Sequence, residues 1–88
     1  MTTSHAVDVL LDGTLLTLNR AVGVLRRRNV AVERLTVHPC AGSDASRLTF
    51  ALTADAATVD RVVQQFRKIV GVRAVETTTN DSNTEEQT

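Results

Sequence analysis

The stretch Asn29 to Pro39, NVAVERLTVHP, constrains the fold of this chain more than any other. Val30 and Val32 alternate with their neighbours as the inward residues of a half-buried strand do. Leu35 and Val37 alternate again, one residue out of phase. Strand side chains repeat every two residues, so a slip of one inside a β-branched run predicts a bulge that bends the strand and re-aims its side chains. Glu33 and Arg34 are the residues caught in that break. The other apolar segments can be arranged as partners for this strand.

Those segments follow from hydrophobic periodicity. His5 to Asp12 predicts a strand with Val7, Val9 and Leu11 on the core face and Ala6, Asp8, Leu10 and Asp12 on the other. Asp12-Gly13-Thr14 reads as a turn, with Thr14 as the N-cap of a first helix. From Leu15 to Arg28, Leu15, Leu18, Val22 and Leu25 recur at helical spacing, filled in by Leu16 and Ala21. Arg26, Arg27 and Arg28 complement the negative end of the helix dipole, and Asn29 suits a left-handed C-terminal residue. After the bulged strand, Cys40 to Ala45 is of hairpin length, and Arg47 to Thr53 predicts a third strand with Leu48, Phe50 and Leu52 inward. Asp55 caps a second helix whose stripe is Val59, Val62, Val63, Phe66, Ile69 and Val70, ended by Gly71. Val72 to Thr77 is expected as the last strand, with Val72, Ala74 and Glu76 in one phase.

The order β-α-β-β-α-β, with two helices that must each bury a stripe, predicts an α+β fold of the ferredoxin-like kind. It has one four-stranded antiparallel sheet with both helices on one face. Strand order 4-1-3-2 leaves the bulged strand on an edge. Residues 5–78 form the expected single domain, preceded by a flexible lead at 1–4 and followed by a disordered acidic tail at 79–88, which has no apolar residue. At 88 residues the core is near the lower limit of self-sufficiency, and Cys40 stands alone, so no disulfide within the chain assists it. Association with a partner is the expected further source of stability.

Several function classes fall away. With Phe50 and Phe66 as the only aromatics, and Phe50 in phase with the core, no strand offers bases a stacking surface. The net charge of +0 supplies no global field for nucleic acid or an anionic membrane. Asp81, Glu85 and Glu86 place three negative charges in the last ten residues, which leaves the rest of the chain at +3, concentrated in Arg26 to Arg28. No apolar run is long enough for a spanning helix, and the basic start of a signal peptide is missing, so a cytoplasmic location is expected. An enzyme lacks parts: His38 and Cys40 share a strand face with no third group to orient them, and a solvated face explains Asp8 and Asp12 as well as a paired-carboxylate role does.

Read together, the first strand, the helix ending in arginines, Val32 to Pro39 (VERLTVHP) and Ser46 to Phe50 (SRLTF) resemble the ACT domain. More narrowly, they are similar to the short, single-domain regulatory small subunits of acetolactate (acetohydroxyacid) synthase. Ala31 to Pro39 follows that family's second-strand pattern, Ser46-Arg47-Leu48-Thr49 its approach to the third strand, and Gln65, Phe66, Lys68, Ile69 and Val72 its segment before the last strand. The resemblance covers about residues 5 to 77. It implies a non-catalytic regulatory subunit that binds and activates a catalytic large subunit in branched-chain amino-acid biosynthesis. No cofactor is expected on this chain; thiamine diphosphate, Mg and FAD would lie on that partner. The alternative is a stand-alone ACT dimer that binds a small ligand, such as an amino acid, and regulates another enzyme.

The resemblance places a valine site at Asp12, Gly13, Thr14, Leu15, Leu16, Ala31 and Val32, and departs from the family there. Leu15 and Leu16 stand where a Pro-Gly is usual, and Ala31 where an Asn is usual, so a weak or absent feedback site is expected. The long apolar edge Val30, Val32, Leu35 and Val37, with the first helix, is the expected homodimer interface. Arg26, Arg27, Arg28, Glu33 and Arg34 are the expected contacts to the large subunit.

Overall fold

In the computed structural model, which describes residues 3–79, six elements occur in order. They are β1 (Thr3–Asp12), α1 (Leu15–Arg28), β2 (Ala31–Pro39), β3 (Ala45–Ala54), α2 (Ala56–Arg67) and β4 (Val72–Thr79). The strands form one antiparallel sheet in the order β2-β3-β1-β4, the expected ferredoxin-like arrangement with β2 on an edge. One cluster unites Val7, Val9 and Leu11 of β1, Leu48, Phe50 and Leu52 of β3, and Val75 of β4 with Ala21, Val24, Leu25, Val59, Val62, Val63 and Phe66 of the helices. Both helices therefore cover the same face, and the rings of Phe50 and Phe66 meet edge to face at 6.0 Å across the layer boundary.

The helix ends follow local chemistry. Thr14 Oγ1 accepts the Thr17 N–H at 3.2 Å, and the Asp55 carboxylate accepts the Thr58 N–H at 2.8 Å. Asn29 closes α1 in the left-handed region (φ 52, ψ 45), its N–H donating to the Arg26 carbonyl. The bulge in β2 is present: Glu33 faces Ala51 and Thr36 faces Thr49, so Arg34 and Leu35 share a single partner position on β3. Arg34 takes φ 56 there, a conformation that a non-glycine residue holds only where its surroundings impose it.

Four details differ from the sequence expectation. β1 begins at Thr3, so Thr3 and Ser4 of the expected lead pair with Ala54 and Thr53, and β4 runs to Thr79, the first residue of the expected tail. The rest of that tail, 80–88, lies outside the described residues. At the start of α1 the inward position is taken by Thr17, tied to the turn by its 2.9 Å hydroxyl contact with Thr14, and Leu15 and Leu16 are turned out to 78% and 59% exposure. At the end of α2 the bonds tighten, Lys68 N–H to Gln65 O and Ile69 N–H to Phe66 O; the helix stops before Ile69, and Val70 is 82% exposed rather than part of the stripe. In β4 the register slips between Leu10 and Leu11, which makes Arg73 an extra residue. Val75 therefore faces the core, while Ala74 and Glu76 are exposed.

Candidate functional site

The turn after β1 is built from polar side chains that bond one another. Asp12 Oδ1 accepts from the Thr14 N–H (3.2 Å) and hydroxyl (2.8 Å), and the Asp12 N–H donates to the Gly71 carbonyl (2.8 Å). The Thr17 hydroxyl, then the Thr14 hydroxyl and amide, hold the Asp12 carboxyl below the usual carboxylate range, with Arg73 adding a smaller pull. Two glycines let three loops converge here. A Cβ on Gly13 would run into the Asp44 carbonyl at the tip of the β2–β3 hairpin, and one on Gly71 would meet Thr17 Oγ1 at 2.5 Å. Arg73 reaches Asp44 at 3.2 Å to tie the same corner. Among the described residues nothing accepts from the Leu15 and Leu16 N–H groups, which lie at the positive end of α1.

Asp12 to Leu16 thus form one end of the expected effector set. Ala31 and Val32 do not join them within the chain. Ala31 pairs with Thr53 and Asp12 with Ala45, which separates the two groups along β3 by roughly 25 Å of strand. A site that uses both groups needs two copies of the chain.

The edge offers the surface for a second copy. Val30 and Val32 are half-buried, and Leu35 and Val37 are 42% and 39% exposed. An open apolar groove of ≈ 340 Å³ runs between α1 and this edge, lined by Val22, Leu25, Arg26, Asn29, Val30, Val32 and Leu35. Every residue of the expected dimer set except Val37 borders it.

The expected large-subunit contacts are dispersed. Arg26 borders the apolar groove and, with Arg27, also the opposite flank of α1, whereas Arg28 borders neither side. The bulge sends Arg34 to the open face of the sheet, into a shallow ≈ 310 Å³ cup with Ala6, Asp8, Thr49, Ala51, Glu76 and Thr78. Glu33 is exposed on β2. On the same open face Arg47 Nη1 bonds Asp8 Oδ2 at 2.8 Å, and Glu76 stands directly opposite Asp8.

Sequence reasoning missed two features. His5, which periodicity places only at the start of the first strand, is buried, with Nε2 2.9 Å from the Thr3 hydroxyl and Nδ1 3.3 Å from the Thr79 hydroxyl. A second groove, of ≈ 430 Å³, lies between α1 and α2 and gathers Arg20, Arg26, Arg27 and Lys68. Its one signal in the sequence is Gly23, a lone glycine within a helix that is otherwise well formed. Among the described residues no group of three His, Cys, Asp or Glu side chains could hold a metal, and no helix is long and apolar enough to cross a membrane.

No family model matches the chain. In sequence it is 32% identical over 78 residues to a protein of Archaeoglobus fulgidus described as a probable acetolactate synthase small subunit; the match takes in 89% of this chain and 49% of that protein. The chain thus spans about half the length of this curated relative. In structure it is similar to the acetolactate synthase small subunit of Thermotoga maritima, with a TM-score of 0.75, 23% identity, and 84% of this chain and 46% of that one covered. It is also similar to the ACT domain of the Chlorobium tepidum GTP pyrophosphokinase, with a TM-score of 0.73 and 12% identity over 89% of this chain and all (100%) of that one. An uncharacterized Thermotoga maritima protein superposes with a TM-score of 0.79 at 14% identity, over 91% of this chain and 99% of that one. The fold is the ACT fold.

Proposed function

We propose that this ACT-fold chain, similar in sequence to acetolactate synthase small subunits, is a non-catalytic regulatory subunit that binds and activates the catalytic subunit of that enzyme. The observation that carries the reading is the 32% identity over 89% of the chain, which runs through the whole fold rather than one motif. Supporting it, an apolar edge and the groove between it and α1 remain open to a second chain. Thiamine diphosphate, Mg and FAD belong to the catalytic partner in this reading. The small subunit acts by binding the active conformation of that partner more tightly than the inactive one. Two copies pair through β2 and α1, joining two sheets into one.

The test is reconstitution. Co-expression with the acetolactate synthase catalytic subunit of the same genome is expected to yield a stable complex with higher acetolactate output than the catalytic subunit alone. A catalytic subunit that neither retains this chain nor gains activity from it overturns the reading. A second reading, a stand-alone ACT dimer serving another enzyme, draws on the equal likeness in fold to the ACT domain of a GTP pyrophosphokinase, which is not an acetolactate synthase chain. An amino-acid ligand bound without any catalytic partner would select it.

A further inference from the structure

Charge is divided between the two layers of the molecule. α1 carries Arg20, Arg26, Arg27 and Arg28 and no acid; α2 with its caps Asp55 and Lys68 adds Arg61, Arg67 and Lys68 against Asp55 and Asp60. The strands and turns among the described residues reverse the balance, with Asp8, Asp12, Glu33, Asp44 and Glu76 against Arg34, Arg47 and Arg73. Both ion pairs among the described residues, Arg47–Asp8 and Arg73–Asp44, lie on the sheet and its loops. The helical layer is therefore basic, and none of its cations takes part in those pairs.

The cations converge on the groove between the helices. Arg20, Arg26, Arg27 and Lys68 line it with the amides of Asn19 and Gln65, and no acid lines it. Gly23 makes the room: a Cβ there would lie 3.4 Å from Arg27 Nη1 and 4.0 Å from Arg26 Nη2, so two guanidiniums rest over the glycine. The Asp12–Gly71 hydrogen bond sets the start of α1 beside the end of α2. At that end Leu16, one turn before Arg20 on the same flank, and Val70 are both exposed. From Leu16 to Arg27 the flank is about three helical turns long, apolar at one end and cationic along the rest.

We propose that this groove is the docking site for an acidic amphipathic helix of a partner protein. Apolar residues of that helix would cover Leu16 and Val70, and carboxylates would meet Arg20, Arg27 and Lys68. A nucleic acid fits less well. Phosphates have no use for the two apolar residues, the sheet side repels them, and both phenylalanines are buried in the core. The flank shares Arg26 with the apolar groove on the β2 side of α1, but Arg20, Arg27 and Lys68, which the carboxylates would meet, do not border that groove, so docking here leaves the β2 edge open to a second copy. The proposal rests on the regulatory-subunit reading only for the identity of the partner, whose catalytic chain would supply the helix.

The probe is a fluorescent amphipathic peptide of about four turns, with leucines on one face and glutamates beside them, titrated by anisotropy against the full chain. Binding is expected to weaken by about tenfold or more in Arg20→Glu/Arg27→Glu/Lys68→Glu, which removes three ion pairs and adds repulsion. It should also weaken with salt. Arg20→Lys/Arg27→Lys, which keeps the charge, is expected to bind nearly as well and guards against a folding defect in the reversal variant. Equal binding by the reversal variant, or by a peptide with every Glu replaced by Gln, overturns the proposal. So does tighter binding of a single-stranded oligonucleotide of the same charge. The reconstituted enzyme separates the two failures: peptide binding without activation sinks the acetolactate synthase reading and leaves the groove, whereas activation without peptide binding does the reverse.

Discussion

At the scale of single residues, two glycines carry opposite expectations. Gly71 sits at φ 103, and a side chain there would meet Thr17 Oγ1 at 2.5 Å and Asp12 Oδ2 at 2.6 Å. Gly71→Ala is expected to cost more than the ~1–2 kcal/mol of left-handed strain alone, read as a fall in urea midpoint. Gly23 lies inside a regular helix, with only flexible arginine ends near its missing Cβ. Gly23→Ala should therefore stabilise the chain by up to about 1 kcal/mol in the same measurement. Asp12 supplies a pH dependence. Its folded pKa lies below the ordinary value of 3.8 because Thr17 and Thr14 donate to the carboxylate. The stabilisation is thus complete above the unfolded value and is lost as pH falls through the lowered one. Urea midpoints measured between about pH 2 and 6 should drop on the acid side, and Asp12→Asn should make that drop shallower, with Asp55 responsible for part of what remains. Thr14 as a cap, Asn29 as a left-handed stop and Asp55 as a cap are all readable from residue type, because each acts on its own helix end.

At the scale of elements, β2 is a segment whose pattern is legible in the sequence. The phase slip at Glu33 and Arg34 is a one-residue bulge, and Leu35 and Val37 are exposed along the expected edge. Val32→Lys or Leu35→Asp is expected to convert a pair of chains into single ones at micromolar concentration, detected by sedimentation velocity. Unchanged sedimentation in both variants, or a single-chain wild type, removes β2 from the interface. The misread stripes have one cause. Periodicity says which residues lie on one side of a helix but not how far the layer beneath extends, so it assigns Leu15, Leu16 and Val70 to a core that ends short of them. In β4 the extra residue at Arg73 shifts the phase without the β-branched run that exposes the slip in β2.

At the scale of the whole molecule, the expected effector residues lie at two ends of the sheet, Asp12 to Leu16 at one and Ala31 and Val32 at the other. Periodicity within one chain gives no account of a site completed by a second. It likewise misses the groove between the helices, whose lining residues are about 45 positions apart in the sequence. A zwitterion held between two copies would find the Leu15 and Leu16 N–H groups for its carboxylate but few side-chain acceptors for its ammonium. Calorimetric titration of the wild-type chain with valine is expected to show weak binding or none, and a dissociation constant in the low micromolar range would refute that. The two bulges have a further consequence. Both outer strands of the sheet, β2 and β4, are interrupted by one, at Arg34 and at Arg73. An unbroken ladder on both rims would let chains add side by side without limit, as in a fibre. With each rim kinked, and β2 taken up in the proposed pair, growth would close after two chains, and concentrated solutions are expected to stay free of ordered aggregates.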